Sequence, residues 1–198
     1  MDGTLINSSI TIANAINYVR KNLGFAPMDS EHILRLVNDH TINPAQTFYH
    51  VKVFDADHER WFSEYYSKNH DKELVLYTGI KEMLIALKDK GYLLALATNA
   101  YRQSTIESLT HLEIYALFDA IGCYDDVPAG KPNPDMLYKV LDEVECSVEE
   151  AIFIGDGPRD EMAAKNANMD YIMVDWGFTE HTDAVSSVDI LKKILLQS

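Results

Sequence analysis

The sequence has few cysteines and no long apolar run, and both absences narrow the class of protein. Its two cysteines, Cys123 and Cys146, form no CxxC motif and no Cys/His cluster, which favours reduced thiols over a disulfide. The longest apolar runs, such as YLLALAT and AIFIG, are far shorter than the roughly 20 residues that span a bilayer. We therefore expect a cytoplasmic protein with no membrane partner.

Positive charge is also scarce, because 17 Lys and Arg stand against 31 Asp and Glu, a net charge of −14. Proteins that bind nucleic acids or anionic membranes usually carry many exposed Lys and Arg side chains, so this balance argues against both as partners. To bind an anionic ligand, the protein would need a local positive charge, such as a metal ion or a single lysine. With 47% hydrophobic residues, the chain is expected to be globular.

Residues 6–75 carry helical patterns and no convincing strand. Ile12, Ile16, Val19 and Leu23 recur at helical spacing, and Gly24 follows as a stop signal. The stretch DSEHILRLVNDH repeats the pattern, and DHERWFSEYYSKNH places its aromatic side chains in a stripe that is typical of helix packing. This part of the chain is therefore predicted to be an all-helical unit of three helices.

From about residue 78 the pattern changes to apolar strands that alternate with helices. The strands are predicted at YLLALATN, AIGCYD, AIFIGD and YIMVDW, and Ser147 and Glu150 form a possible capping box. Strands that are apolar throughout indicate a parallel sheet covered by helices on both faces. The predicted fold class is therefore α/β, with a helical unit inserted near the start of the chain.

The predicted strands end in polar groups. Thr98 and Asn99 follow one strand, Asp156 follows another, and Asp125 and Asp126 follow a third. Ligands of parallel sheets collect beyond the carboxyl ends of the strands, so all of these groups are expected to face one crevice. Lys131 lies between them in a proline-containing loop, GKPNPD.

Each of these residues also has an ordinary explanation when it is taken alone. Thr98 and Asn99 could cap a helix, Lys131 could be a surface lysine, and Asp156 and Asp160 could be solvated carboxylates. Together they suit one ligand, a phosphoryl group. The two carboxylates would hold Mg²⁺, Lys131 would neutralise charge, and the hydroxyl and nearby N–H groups would hold the phosphoryl oxygens.

The order of the stretches DGTL, ATN, GKPNPD and GDGPRD resembles the four-motif signature of the haloacid dehalogenase superfamily of phosphohydrolases. Within that superfamily, DGTLINSSITIANAINYVRKNLGF and the half from DDVPAGKPNPD to WGF look like the phosphoglycolate phosphatase-like group. The resemblance covers essentially the whole chain. It implies a Rossmann-like three-layer core with a parallel sheet, formed by residues 1–5 and 76–198, and a helical cap domain formed by residues 6–75.

The resemblance also implies a Mg²⁺-dependent hydrolysis of a small phosphorylated metabolite through an aspartyl-phosphate. Asp2 would be the general acid and base, with Thr98 and Lys131 as the other catalytic residues. Gly3, Thr98, Asn99 and Lys131 would bind the substrate. The Mg²⁺ ligands would be Asp156, Asp160 and the main-chain carbonyl of Asp2.

One departure from the motif concerns the nucleophile. The family motif is D-x-D-G-T, its first aspartate is the nucleophile, and here Met1 occupies the x position. The nucleophile is therefore expected just upstream of Met1 in a longer protein, together with the central strand that leads to it. Four or five buried side chains of such a strand contribute roughly 6–15 kcal/mol. Without them we expect residues 1–198 to fold poorly and to be inactive or impaired, unless another segment fills the slot.

Three other questions stay open at the level of sequence. A catalytically silent phosphate- and metal-binding relative, or a phosphomutase of the same superfamily, would share these motifs. Gly157 stands where the family usually carries Ser or Thr, which removes a hydroxyl near the metal. The chain could be a monomer or a homodimer. Five basic residues of the cap could reach a substrate carboxylate or be solvated surface, and surface is favoured for each; these are Arg20, Lys21, Arg35, His50 and Lys52.

Overall fold

The computed structural model describes residues 1–37, 42–177 and 183–197, apart from the side chains of residues 70 and 71. The chain divides into two compact units. One contains Met1–Ile6 and Leu76–Ser198, and the other contains Asn7–Val75. The end of the second predicted helix (residues 38–40) and Phe178 of the WGF stretch lie outside the described residues.

The unit Asn7–Val75 is built from helices. They are α1 (Ser9–Asn22), α2 (Ser30–Val37), α3 (Pro44–Tyr49) and α4 (Ala56–Glu73). Sequence periodicity predicted three helices and missed α3, which has six residues and is too short to show a repeat. Its start is marked instead by Asn43, whose side chain accepts a hydrogen bond from the Gln46 N–H at 3.2 Å, and by Pro44 in the first turn.

The core of this unit contains the residues that the periodic pattern selects. Ile16 and Val19 of α1 pack with Ile33, Phe48 and other buried side chains. The aromatic stripe of α4 packs partly against this core through Trp61 and Phe62, which confirms its structural role.

Arg20 differs from the expectation of a solvated surface residue. Its side chain is buried, and its guanidinium donates hydrogen bonds to the carbonyls of Ala26 at 2.9 Å and Phe48 at 2.5 Å. It also lies over the ring of Phe25, 5.5 Å from the centroid. The expectation was wrong for this residue because two main-chain carbonyls inside the helical unit need a donor, and a guanidinium supplies several. Lys21, Arg35, His50 and Lys52 are exposed.

The other unit alternates strands and helices, which confirms the α/β class. Its strands are β3 (Ala95–Ala97), β4 (Ala120–Gly122), β5 (Ile152–Gly155) and β6 (Asp170–Met173). Its helices are α5 (Ile80–Asp89), α6 (Arg102–His111), α7 (Asp135–Glu143), α8 (Pro158–Ala167) and α9 (Val188–Gln197). Two further strands, β1 (Ile6–Asn7) and β2 (Val75–Leu76), pair where the chain passes between the units.

The strands of the α/β unit form two separate parallel pairs. β3 pairs with β4 in the register Leu96 to Ile121, and β5 pairs with β6 in the register Ile154 to Ile172. Parallel pairing confirms the prediction from apolar strands, but one continuous sheet was expected. In the described part of the chain, β3 and β5 each have a partner on one edge only, so the sheet is interrupted between them.

Helices α7 and α8 cover the strands through one apolar cluster. Met136, Leu137 and Leu141 of α7 pack with Ala163 and Ala164 of α8 and with residues of β3 and β6. The small alanines of α8 let the helix approach the strands closely. Across the described residues, no helix combines the length and the hydropathy needed to cross a membrane.

We expect Arg20→Met to destabilise the helical unit, because it leaves the carbonyls of Ala26 and Phe48 without their donor. Each buried carbonyl without a partner costs about 1–3 kcal/mol, so the free energy of unfolding should fall by about that amount or more. Urea denaturation monitored by circular dichroism measures the change. The neighbouring exposed residue supplies the control, since Lys21→Met should change stability by less than about 0.5 kcal/mol. Equal effects of the two substitutions would contradict the assigned role of Arg20.

Candidate active site

The candidate site lies at the carboxyl ends of β3 and β5. Thr98 and Asn99 directly follow β3, and Asp156 directly follows β5. Asp160 lies in the first turn of α8, and Lys131 lies in the loop that precedes α7. The strand order of a parallel fold thus brings together residues that are far apart in the sequence.

Lys131 is the centre of this arrangement. Its ammonium donates to the carbonyl of Ala97, the last residue of β3, at 2.8 Å, and lies 2.6 Å from Asp160 Oδ1. The side chains of Lys131 and Asp160 are only 7% and 13% exposed, so this ion pair is well shielded from water. A buried charge is stable only when it is paired and hydrogen-bonded, and both conditions hold here. Among the described residues these contacts use two of the three ammonium protons, and the ammonium also lies over the Phe153 ring, 5.2 Å from its centroid.

Asn99 positions the loop that carries Lys131. Its side-chain oxygen accepts from the Lys131 N–H at 2.8 Å, and its side-chain amide donates to the Lys131 carbonyl at 2.9 Å. Both ends of the amide group are therefore engaged with one residue. Gly130 allows this contact, because a Cβ there would lie 2.7 Å from the Asn99 oxygen. These contacts indicate a positioning role for Asn99, where the sequence suggested contact with substrate.

Asp156 is held by the N-terminal turn of the chain. The hydroxyl of Thr4 donates to Asp156 Oδ1 at 2.6 Å. Gly3 has a φ of +76°, and a Cβ at that position would lie 2.1 Å from Asp156 Oδ2, so only glycine fits this turn. The motif stretch DGT is therefore needed for its backbone shape and its hydroxyl as well as for its carboxylate.

Thr4 was missed by sequence reasoning, although it belongs to a motif that was quoted. Its hydroxyl reaches an aspartate 152 positions further along the chain, and its carbonyl accepts from the Trp176 indole N–H at 2.9 Å. No local pattern reports contacts of this sequence separation. The only available signal was its place directly after a glycine of the motif.

Burial raises the pKa of Asp156, and the neighbouring Asp160 raises it further. The hydrogen bond from Thr4 acts in the opposite direction, but burial is the larger effect. The site therefore holds carboxylates that would be stabilised by an additional cation.

Thr98 is buried, and its side-chain oxygen accepts a hydrogen bond from the Ala100 N–H at 3.2 Å. This contact resembles a helix cap, which is the ordinary explanation for a threonine at this position. It uses the acceptor capacity of the hydroxyl and not its proton. The hydroxyl is thus able to donate to an oxygen of a ligand.

The carboxylates at the third predicted strand end, Asp125 and Asp126, serve a different purpose. Asp126 forms a two-pronged ion pair with Arg102, with distances of 2.7 and 2.5 Å, and also accepts from the Cys123 N–H. Asp125 accepts from the Arg102 N–H at 2.8 Å. β4 ends at Gly122, three residues before the predicted strand end, and a 3₁₀ turn carries both aspartates. These contacts fix the start of α6, so the expectation that Asp125 and Asp126 face the crevice was wrong.

The oxygen atoms around Asp156 suit a hard cation. Asp156 and Asp160 supply carboxylates, and Gly3 lies close against Asp156 Oδ2. Gly155 is equally tight, because a Cβ there would lie 2.6 Å from Asp160 Oδ2. In the described ranges no three His, Cys, Asp or Glu side chains gather as a metal cluster. The side chain of the third predicted ligand, Asp2, is exposed.

Comparison with known proteins identifies the family of the chain. Residues 1–174 match the family model described as haloacid dehalogenase-like hydrolase. A phosphoglycolate phosphatase of Nitrosospira multiformis is 28% identical over 190 residues, which cover 92% of this chain and 84% of that protein. The pyrophosphatase PpaX of Bacillus cereus is 28% identical over 179 residues, which cover 89% of this chain and 81% of that protein.

Solved structures show the same relationship. The structure of a haloacid dehalogenase-like family hydrolase from Streptococcus pneumoniae superposes with a TM-score of 0.71 and 27% sequence identity, covering 92% of this chain and 85% of that one. The parallel strand pairs, the polar groups at the strand ends and the match over residues 1–174 agree with one another. The chain belongs to the haloacid dehalogenase-like hydrolases.

Proposed function

We propose that this protein is a Mg²⁺-dependent phosphatase of the cytoplasm that hydrolyses a small phosphorylated metabolite, either phosphoglycolate-like or a sugar phosphate. The observation that carries the proposal is the buried Lys131 ammonium, held at the strand ends between the Ala97 carbonyl and Asp160. The names of the relatives, phosphoglycolate phosphatase and pyrophosphatase, support phosphate chemistry at this site.

In this proposal the phosphoryl group is held by donors from both sides of the site. Lys131 supplies its remaining N–H, and Thr98 supplies its hydroxyl proton. Gly3 supplies backbone without a side chain, so an oxyanion can approach closely. Asn99 keeps the Lys131 loop in place through its two hydrogen bonds. Charge-assisted hydrogen bonds of this kind are about twice as strong as neutral ones, which offsets the repulsion from a molecule of net charge −14.

Asp156, Asp160 and the main-chain carbonyl of Asp2 would hold Mg²⁺. When bound, the ion would neutralise negative charge on the phosphoryl oxygens. The side chain of Asp2 is exposed and would act as the general acid and base, giving a proton to the departing alkoxide and later taking one from water.

The covalent step requires an aspartate carboxylate that attacks phosphorus and forms an aspartyl-phosphate. On the family motif this aspartate takes the position before Met1, which residues 1–198 do not include. Residues 1–198 by themselves are then expected to bind metal and phosphate while turning over substrate poorly. A catalytically silent relative would bind both ligands and turn over substrate in no form of the chain.

Extension of residues 1–198 by an apolar strand that ends in aspartate should give Mg²⁺-dependent hydrolysis of p-nitrophenyl phosphate. Without the extension the rate should be lower on the order of 10³-fold or more, because the nucleophile is absent. The same extension ending in asparagine is the matched control and should be as inactive as the unextended chain. Equal Mg²⁺-dependent rates with and without the extension would refute the assigned nucleophile, and no hydrolysis by any form would favour a silent relative.

Lys131→Met should weaken binding of inorganic phosphate about 10- to 100-fold, since a hydrogen bond from a charged group contributes about 1.5–3 kcal/mol. Isothermal titration calorimetry in the presence of Mg²⁺ measures the change. The single substitution leaves Asp160 buried without its partner, so circular dichroism must first show that the variant is folded. The exposed Lys165→Met is the control. Unchanged phosphate affinity in a folded Lys131 variant would rule out the role of Lys131.

Asp156→Asn should raise the melting temperature of the metal-free protein at pH 7 by about 2–4 °C, the shift expected for about 1 kcal/mol in a chain of this size. The folded-state pKa of Asp156 is raised above 3.8, so the charged form is disfavoured by folding. The contribution of Asp156 to stability is therefore lost as the pH rises from its pKa in the unfolded state through its higher pKa in the folded state. The substitution should also abolish the stabilisation by Mg²⁺.

Thermal unfolding with and without Mg²⁺ measures both effects. The exposed Asp170→Asn is the control and should change neither quantity. If Asp156→Asn lowers the metal-free melting temperature and keeps the full Mg²⁺ response, Asp156 is not the carboxylate that holds the ion.

A further inference from the structure

Two exposed tyrosines lie beside the candidate active site in the α/β unit. Tyr101 is 62% exposed and Tyr124 is 46% exposed. Their rings are in edge-to-face contact, with centroids 5.6 Å apart and planes inclined by 69°. Single apolar side chains are common on protein surfaces, whereas two aromatic rings that contact each other and stay open to solvent form a patch. We call these two rings the tyrosine pair.

Main-chain hydrogen bonds join the tyrosine pair to the groups at the end of β3. Tyr101 comes two residues after Asn99, and Tyr124 comes two residues after the end of β4, the parallel neighbour of β3. Ala100 connects the two loops, because its N–H donates to the Thr98 side-chain oxygen at 3.2 Å and its carbonyl accepts from the Tyr124 N–H at 3.0 Å. The pair is therefore continuous with a residue assigned to hold a phosphoryl oxygen.

The ring of Tyr124 also lies against the loop that carries Lys131. A Cβ on Gly130 would lie 2.7 Å from Cδ2 of the Tyr124 ring and 2.7 Å from the side-chain oxygen of Asn99. The absence of a side chain at Gly130 thus lets the ring and the amide approach the main chain directly before Lys131. The tyrosine pair therefore borders both donors that are assigned to the phosphoryl group, Thr98 and Lys131.

The positions of the two rings are fixed by polar contacts that phosphate binding does not use. Arg102 follows Tyr101 at the start of α6, and Tyr124 opens the 3₁₀ turn that also contains Asp125 and Asp126. The ion pair between Arg102 and Asp126 and the hydrogen bond from the Arg102 N–H to Asp125 tie this turn to the helix. A surface that is held in place before binding loses little entropy when a ligand binds.

The exposed rings suit a planar aromatic ligand. The edge-to-face contact uses the edge of one ring and one face of the other, so other ring faces remain for a ligand. Every nucleobase has a π-face that stacks on aromatic side chains, and a neutral base is not repelled by a net charge of −14. Glycolate and simple sugars have no such face. Nucleoside monophosphates are the sugar phosphates that carry a planar ring.

We propose that the tyrosine pair is a subsite for the base of a nucleoside monophosphate whose phosphate is bound at Thr98 and Lys131. This inference rests on the proposed function and narrows its substrate class to sugar phosphates that carry a base. The subsite recognises the ring by stacking, which depends on ring size more than on hydrogen-bonding groups. Purine nucleotides should therefore bind more tightly than pyrimidine nucleotides.

The direct test compares adenosine monophosphate with ribose 5-phosphate, which has a hydroxyl in place of the base. Isothermal titration calorimetry of residues 1–198 with Mg²⁺ should show about tenfold or more tighter binding of adenosine monophosphate. In proton NMR spectra the adenine H2 and H8 resonances should move upfield, because ring currents shield protons above an aromatic face. Equal affinities for the two ligands, or tighter binding of the nucleotide without upfield shifts, would overturn the proposal.

Matched variants separate the rings from other sources of affinity. Tyr101→Leu and Tyr124→Leu each remove a ring but keep an apolar side chain, so the preference for adenosine monophosphate should fall about fivefold or more. Tyr101→Phe keeps the ring and should keep the preference. Tyr138→Leu is the control, since Tyr138 is 44% exposed on α7 and lies outside the pair.

Circular dichroism checks that each variant is folded. An unchanged preference in either folded leucine variant of the pair would overturn the proposal. The same loss in Tyr101→Phe as in Tyr101→Leu would also overturn it, because the hydroxyl and not the ring would then be responsible.

A second copy of this chain is the competing occupant of the tyrosine pair. If residues 1–198 form a dimer in sedimentation experiments that Tyr101→Leu dissociates and adenosine monophosphate does not, the pair is a protein interface and the proposal is wrong. A monomer that binds one nucleotide supports the proposal.

Inorganic phosphate and adenosine distinguish a failure of this inference from a failure of the proposed function. If inorganic phosphate binds but the base adds no affinity, the subsite is wrong and the phosphate site stands. If adenosine shows upfield shifts that Tyr101→Leu removes, while inorganic phosphate does not bind, the subsite stands and the proposed function fails. If neither probe binds, both fail.

Discussion

The buried ion pair between Lys131 and Asp160 is the interaction on which the candidate site depends. The Lys131 ammonium contacts both the carbonyl at the end of β3 and Asp160, which lies in the first turn of α8 after β5. It therefore connects two strand pairs that share no hydrogen bonds in the described part of the chain. An unpaired charge in this position would be strongly destabilising. The ion pair therefore fixes the distance between the polar groups at the end of β3 and those at the end of β5.

The parallel fold and the grouping of polar residues at the strand ends could be predicted from sequence because the signals were local. Apolar runs predicted the strands, polar residues at their ends predicted the site, and the capping box at Ser147 and Glu150 is present in the structure. Long-range contacts could not be predicted in this way. The hydrogen bond from Thr4 to Asp156, the engagement of Asn99 with Lys131 and the burial of Arg20 all join residues through the fold, so no periodic pattern reports them.

The acidity of the chain and the chemistry of the site are connected. A net charge of −14 repels phosphate at a distance, so binding requires positive charge that is concentrated and shielded from water. Lys131 meets that condition through burial, and the raised pKa of Asp156 shows that its carboxylate is poorly solvated. A bound cation would relieve this penalty, so metal binding and stability of the α/β unit are expected to be linked.

The most direct test of this account is a crystal structure of residues 1–198 grown with Mg²⁺ and tungstate as a phosphate mimic. The account predicts a tungstate oxygen within about 2.7–3.2 Å of Lys131 Nζ and of the Thr98 hydroxyl, with the metal ion bound to Asp156. Tungstate bound elsewhere, with the ends of β3 and β5 unoccupied, would contradict the central claim that a buried lysine at the strand ends creates the phosphate site.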